Sequence, residues 1–313
     1  MINSLKKIKV DDQQIGQRLD IFLAAKLNIS RNKTQKIIKT KILINNKIPN
    51  NHYKLKINEI IQILKTPPDI KSKINTPPKI TIISEEKNYI IIDKPVGLVV
   101  HPDSTHTQGN TLIDQLLLIY PDIQKINPKS NRPGIVHRLD KNVSGVMVVA
   151  KNKKMQNHLK SQFKMKLVDK KYKSLVYGHI YKEKKIETFL SRGAKGKIQN
   201  TKDGRSAVSL IKPLKLYTNS TLLEVSILTG RTHQIKVHLL GIGNPIVGER
   251  LYSNKKSRIN KLNNKLDRPF LHAETLKFIN LEGIKKEYHS KLTIKLENFL
   301  KELTKLNTKD RLE

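Results

Sequence analysis

Between Gln17 and Leu27 the apolar positions Leu19, Phe22, Leu23 and Leu27 recur at intervals of three and four, which predicts an amphipathic helix. Ser30 is a good N-cap residue and predicts the start of a second helix carrying Arg31, Lys33, Lys36 and Lys39. The period then shortens: KILINNKIP and YKLKINEIIQIL read as β segments. Their turns fall at Asn45-Asn46 and Asn58-Glu59, where asparagine tolerates left-handed backbone. Residues 1–15 read as a polar lead-in. Residues 65–79, KTPPDIKSKINTPPK, hold two Pro-Pro pairs and almost no large apolar side chains. They predict a semi-extended linker and the clearest domain boundary.

From Ile80 onward strands dominate: ITIIS, NYIIID, GLVVH, GVMVVAK, KYKSLVYGHI, AVSLIKPL and LLEVSIL. Helical faces interrupt them at Met155, Leu159 and Phe163, at Ile235, Leu239 and Leu240, and at Leu296, Phe299, Leu300 and Leu303. Hairpin-length gaps between strands predict an α+β fold, a mixed and mainly antiparallel sheet with flanking helices, beside a small N-terminal α/β module. The expected division is 1–64, a linker at 65–79, and a main domain over 80–313. Residues 253–267 read as an exposed polar insertion.

Composition sharpens this picture. A chain of 313 residues with 37% hydrophobic content can bury a core in each part, so wholesale disorder is excluded. The balance of 61 Lys+Arg against 26 Asp+Glu gives +35 and points to a polyanionic partner. Part of that excess follows from a Lys-, Ile- and Asn-rich usage; the rest still exceeds an ordinary enzyme's balance. The absence of cysteine removes disulfides, thiol nucleophiles and cysteine-ligated zinc. No apolar run long enough to span a membrane occurs, so a reducing, cytoplasmic setting is expected.

Four segments could carry chemistry. In GIVHRLDKNVSG (134–145) His, Arg and Asp crowd beside an apolar strand. Asp140 there could act as nucleophile or base, and on spacing alone a structural Arg–Asp pair explains the crowding equally well. In LTGRTHQIKVH (228–238) Arg231 sits at a strand-to-helix turn. His233 and His238 lie five apart, one more than the usual spacing of metal ligands on a helix, so no metal is expected. In KKYKSLVYGHI (170–180) Tyr172 could line a cleft or simply pack. In IIIDKPVGLVVHP (90–102) Asp93-Lys94-Pro95 breaks two apolar runs, as a turn or a substrate contact. No phosphate-binding glycine–lysine loop, dinucleotide fingerprint or nucleophile elbow is present.

Together, and in this order, the four segments resemble the RluA-type family of pseudouridine synthases over residues 80 to 295. The HRLD motif appears as His137-Arg138-Leu139-Asp140, and the Gly-Arg-Thr-His-Gln-Ile-basic-Val-His motif as Gly230 to His238. NPIVGERLY and FLHAETLKF match its supporting motifs, and RLDIFLAAKLNISR resembles the alpha-L RNA-binding module that many members carry. Val143, Lys236 and Glu249 stand where Thr, Arg and Asp are usual.

The resemblance implies a cofactor-free isomerase acting on RNA, most commonly large-subunit ribosomal RNA. It assigns Asp140 as nucleophile, Arg231 as its ion-pair partner, and Tyr172 as the ring that packs on uracil and assists at carbon 5. Arg138 would fill the stack vacated by a flipped base, and Arg31, Lys33, Lys36 and Lys236 would contact RNA. A monomer is expected. The competing readings are a transfer-RNA enzyme, a non-catalytic ribosome-assembly factor, and a glycosidase, which would want a second positioned acid.

Overall fold

The computed structural model describes residues 4–45, 47–50, 53–64, 78–102, 111–128, 130–193, 196–255, 257 and 265–303, without the side chains of 4, 5, 31–33, 36 and 39. The expected linker at 65–79 and insertion at 253–267 lie largely outside them, as do the side chains of Arg31, Lys33 and Lys36. The chain divides into two compact units, Met1–Asn75 and Thr76–Glu313. No helix among the described residues is long and apolar enough to cross a membrane.

The small unit holds β1 (Ser4–Lys9), α1 (Leu19–Leu27), α2 (Arg31–Lys41), β2 (Ile42–Ile44) and β3 (Ile60–Leu64). Its sheet runs β1-β3-β2, antiparallel throughout. Residues 4–9 are therefore a strand and not a lead-in. β1 is short of apolar side chains, and its pairing with β3 supplies the order that composition does not. Its Ile8 joins a core with Val10, Leu19, Leu23, Ile38, Ile42 and Ile61. Asn45 and Asn58 adopt left-handed backbone, at φ 53° and 60°, as the turn reading requires, and Asn28 does so at φ 49° where it caps the end of α1.

The large unit is built on one sheet of β4 (Thr81–Glu85), β5 (Tyr89–Lys94), β6 (Ser144–Ala150), β7 (Asp169–Tyr177), β8 (Lys184–Arg192), β9 (Ile198–Asn200), β10 (Arg205–Tyr217), β11 (Ser220–Ile227), β12 (Leu271–Ile279) and β13 (Lys285–His289). The order is β4-β5-β6-β12-β7-β11-β10-β8-β9, with β13 on β12. Among the described strands only β6 and β12 pair in parallel, at Ser144–His272 and Gly145–Ala273. This is the mixed, mainly antiparallel α+β architecture the periodicity predicts. The alternation along β5 assigns its two faces. Tyr89 and Ile91 pack with Met155 and Leu159 of α4 (Lys153–Met165). Ile90 and Ile92 face the core of α3 (Leu112–Ile119), α5 (Gln234–Gly241) and α6 (Ile294–Lys301).

GLVVH is not a strand. Gly97 turns at φ 86°, and Val99 makes only an isolated bridge to Thr111, whose hydroxyl caps α3 in a capping box with Asp114.

Candidate active site

The loop leading into β6 forms one wall of a cavity of about 310 Å³. Gly134 starts it at φ 71°, where a Cβ would meet the Ala150 carbonyl at 2.5 Å, so only glycine lets the loop lie on the sheet. Within it the Asp140 carbonyl accepts the Val143 N–H at 3.0 Å, and the Lys141 carbonyl accepts the Gly97 N–H at 2.8 Å. The fully buried Lys94 ammonium donates to the carbonyls of Pro95, Leu98 and Lys141 at 2.8, 2.9 and 3.3 Å. Burial draws its pKa down to about 7, while three carbonyl acceptors match the three N–H groups of the ammonium form. Of the two readings of Asp93-Lys94-Pro95, the structure shows the turn: Lys94 holds the loop that presents Asp140.

The opposite wall comes from β7, the end of β11 and the start of α5. Tyr172 is buried on β7, and its phenol is pushed well up by burial and then by the charge of Asp140. Lys170, two residues earlier, shares that face of the strand. It lines the same cavity with its ammonium 5.6 Å from the Phe163 ring, and burial pulls its pKa to about 8. The turn at 229–234 is organised by the buried Gln234 amide. Its oxygen accepts from Thr229 Oγ1 and the Arg231 N–H at 2.7 and 3.1 Å, and its nitrogen donates to Val208 O and Ser209 Oγ, both at 3.0 Å.

Asp140, Tyr172, Arg231, Arg138 and Lys236 all line this cavity. The expected Arg231–Asp140 pair is corrected by the geometry: Arg231 Nε donates to the Ser206 carbonyl at 3.0 Å. Lys236 Nζ instead lies 3.3 Å from Asp140 Oδ2 and 3.1 Å from Glu249 Oε2. Lys236 is 7% exposed, which also corrects its assignment to RNA: a buried ammonium shared by two carboxylates is not free for a phosphate. Burial lowers the Lys236 pKa, and Asp140 and Glu249 more than reverse it, leaving it raised. His233 Nε2 stands 3.7 Å from the same Oδ2. Asp140 Oδ1 has no partner among the described residues. Arg138 is exposed at the cavity mouth.

The histidines are walls and struts. His137 stacks on Phe163 at 4.8 Å and accepts the Val148 N–H on Nε2 at 3.1 Å; burial and then Lys170 press its pKa to about 3. His238 lies between Ser209 Oγ and Thr188 Oγ1 at 3.0 and 2.9 Å, its pKa lowered to about 4 by burial. No cluster of three potential metal ligands occurs among the described residues. Sequence reasoning missed Lys170 and the partnership of Lys236. Period-two spacing from Tyr172 signals the first, whereas the second needs the fold.

The profile of the family described as RNA pseudouridylate synthase matches residues 88–240. The chain is 38% identical over 271 residues to the "Uncharacterized RNA pseudouridine synthase" of Aquifex aeolicus, covering 83% of this chain and 84% of that protein. It is 34% identical over 321 residues to the "Ribosomal large subunit pseudouridine synthase C" of Buchnera aphidicola subsp. Schizaphis graminum, covering 96% and 98%. "Human RNA Pseudouridylate Synthase Domain Containing 4" superposes at TM-score 0.55 with 25% identity, over 72% of this chain and 94% of that one.

Proposed function

The chain belongs to the RNA pseudouridylate synthase family, and on that premise we propose that it isomerises specific uridines of large-subunit ribosomal RNA with Asp140 as nucleophile. The observation carrying this reading is the meeting of Asp140, Tyr172 and Lys236 in one cavity, with a single carboxylate oxygen left unengaged among the described residues. The names of relatives from Buchnera aphidicola, Vibrio cholerae and Nitrosomonas europaea, all ribosomal large subunit pseudouridine synthases, support ribosomal RNA as substrate.

The reaction conserves every atom. The bond from uracil N1 to ribose C1′ breaks, the base turns, and C5 bonds to C1′. The C5 hydrogen leaves as a proton and N1 gains one. A carboxylate suits it because the ester it forms with the substrate can be released again. The raised pKa of Tyr172 keeps its phenol protonated at neutral pH, so its ring serves as a stacking surface. To act as a base at carbon 5 it would have to lose its proton against both burial and Asp140. Arg231, fixed by Ser206, edges the cavity where the ribose and its phosphates would pass.

A uridine must leave its stack to reach this cavity, at a cost of a few kcal/mol, and Arg138, an exposed lining residue, would occupy the gap. The small unit, read as an alpha-L module over 1–64 and joined by the linker 65–79 to the catalytic domain 80–313, adds phosphate contacts from Arg31, Lys33 and Lys36. We take the enzyme to act as a monomer in the cytoplasm.

The test is chemical mapping of pseudouridine in unmodified large-subunit ribosomal RNA incubated with the protein or with Asp140→Ala. The wild type should modify defined positions, and the variant should lose at least about 10³-fold in rate while still binding RNA. Modification of transfer RNA alone would move the substrate. Tight binding of RNA without product would leave a ribosome-assembly factor.

A further inference from the structure

The loop Gly248–Tyr252 supplies no wall of the cavity, yet both groups that approach Asp140 Oδ2 lead back to it. Lys236 joins Oδ2 to Glu249 Oε2 at 3.3 and 3.1 Å. His233 joins Oδ2 to the Tyr252 hydroxyl, with Nε2 at 3.7 Å from the carboxylate and Nδ1 at 2.8 Å from the phenol oxygen.

Each arm is anchored. The Glu249 carboxylate accepts the Leu251 N–H at 2.7 Å through its other oxygen. The Tyr252 hydroxyl accepts the Ile198 N–H of β9 at 2.9 Å. Gly248, at φ 78°, passes so close to the Arg268 carbonyl that a Cβ would stand 2.0 Å from it. The loop therefore lies clamped, with Glu249 and Tyr252 both buried.

The polarity of the second arm follows. Burial lowers the His233 pKa, so its ring is neutral and carries one N–H. Nε2 faces a carboxylate, which favours the hydrogen there and leaves Nδ1 to accept from the phenol. At 3.7 Å the contact with Asp140 is that of a dipole with a charge, not a hydrogen bond. The charged and titratable groups facing His233 are Asp140, Lys236, Glu249, Arg138 and Tyr252.

We propose that Glu249 and Tyr252 are positioning residues. Through Lys236 and His233 they hold Oδ2 of Asp140 from one side and turn Oδ1 to the substrate, and Ile198 ties this brace to the edge strand β9. The inference rests on the assignment of Asp140 given above. His233 pays for its place with left-handed backbone at φ 55°, a conformation that persists only where its surroundings impose it.

The experiment combines two readouts on the full chain. The imidazole ¹⁵N spectrum of the free protein should show His233 as the Nε2–H tautomer, and Tyr252→Phe should convert it to a mixture. In single-turnover assays Tyr252→Phe and Glu249→Gln should each slow pseudouridine formation about 10- to 100-fold, the cost of a misaimed reacting group. The Kd for RNA should hold, and the pH profile of the Tyr252→Phe rate should change. His233→Asn, which tolerates the left-handed backbone, replaces Tyr252→Phe if that variant does not fold. A wild type that makes no pseudouridine overturns the assignment of Asp140 and the brace with it. An active wild type whose variants keep its rate and pH profile overturns the brace alone. So does a rate loss that merely tracks RNA affinity or melting temperature.

Discussion

The two units bury polar groups for opposite ends. In the small unit Asp20 is wholly buried at the start of α1 and is taken up by Arg18 at 2.9 and 3.0 Å and by Gln35 at 3.1 Å. Glu59 accepts from Tyr53 at 2.6 Å and from the Lys56 N–H at 3.0 Å. The first group ties the start of α1 to α2, and the second holds the turn at Asn58. In the large unit the buried Lys94, Gln234, Lys236 and Glu249 all act, directly or through one neighbour, on the walls of a single cavity. The difference teaches that total charge, which the chain has in excess, says little about where chemistry happens. Convergence of partnered groups on one space says more.

Three perturbations separate the units further. The largest is Gly145→Ala. At φ 125° with the Ala273 carbonyl 2.1 Å from any Cβ, the change should force β6 off β12 and cost about 3 kcal/mol or more. Amide exchange should quicken in β6 and β12 and hold in β1 and β3; equal loss in both units would erase the distinction. Next comes the triple change of Arg31, Lys33 and Lys36 to Gln. Affinity for RNA should fall about tenfold at low salt and the salt slope should flatten by about two to three charges. The rate on saturating RNA should stay. A slowed rate with an intact salt slope would show that the small unit takes part in the chemistry.

The third perturbation is acid, which acts on stability. Burial lowers the pKa of His137 to about 3 and of His238 to about 4, with Lys170 adding to the first, and it also lowers His233 and His272. All four belong to the large unit. Unfolding frees these rings to bind protons near pH 6.5, so between that value and the folded ones the unfolded state holds more protons. Stability of the large unit is therefore full above pH 6.5 and declines as pH falls toward 4. Urea midpoints at pH 7 and 5 should differ, and His238→Gln should narrow the difference; an unchanged difference would remove His238 from the account.

Local signals are legible in the sequence where one element carries them alone. The helical spacing of Met155, Leu159 and Phe163 and the left-handed asparagines at 45 and 58 need only their neighbours. Partners set by the fold were not legible. β1 owes its order to a strand more than fifty residues away, and Val99-Val100 looks like a strand although Gly97 and Lys94 hold it in a loop. The site followed the same rule. The family resemblance assigns Asp140, Tyr172 and Arg231 to one reaction, and in the structure they line one cavity. The choice of Lys236 over Arg231 as the cation at Asp140 depends on α5 starting at Gln234, which turns Lys236 inward and leaves Arg231 to Ser206.

The parallel pairing of β6 with β12 has a consequence in time. Asp140 precedes β6 and Tyr172 sits on β7, and the strand that lies between those two in the sheet is β12. Its His272 meets Ser144 across 128 residues of chain. Contacts of such separation are slow to form, because the closure entropy of the loop is lost before the pairing rewards it. During synthesis Asp140 and Tyr172 are made well before the strand that joins β6 to β7. The cavity, which Leu271 of β12 also lines, is therefore complete only once that strand has paired.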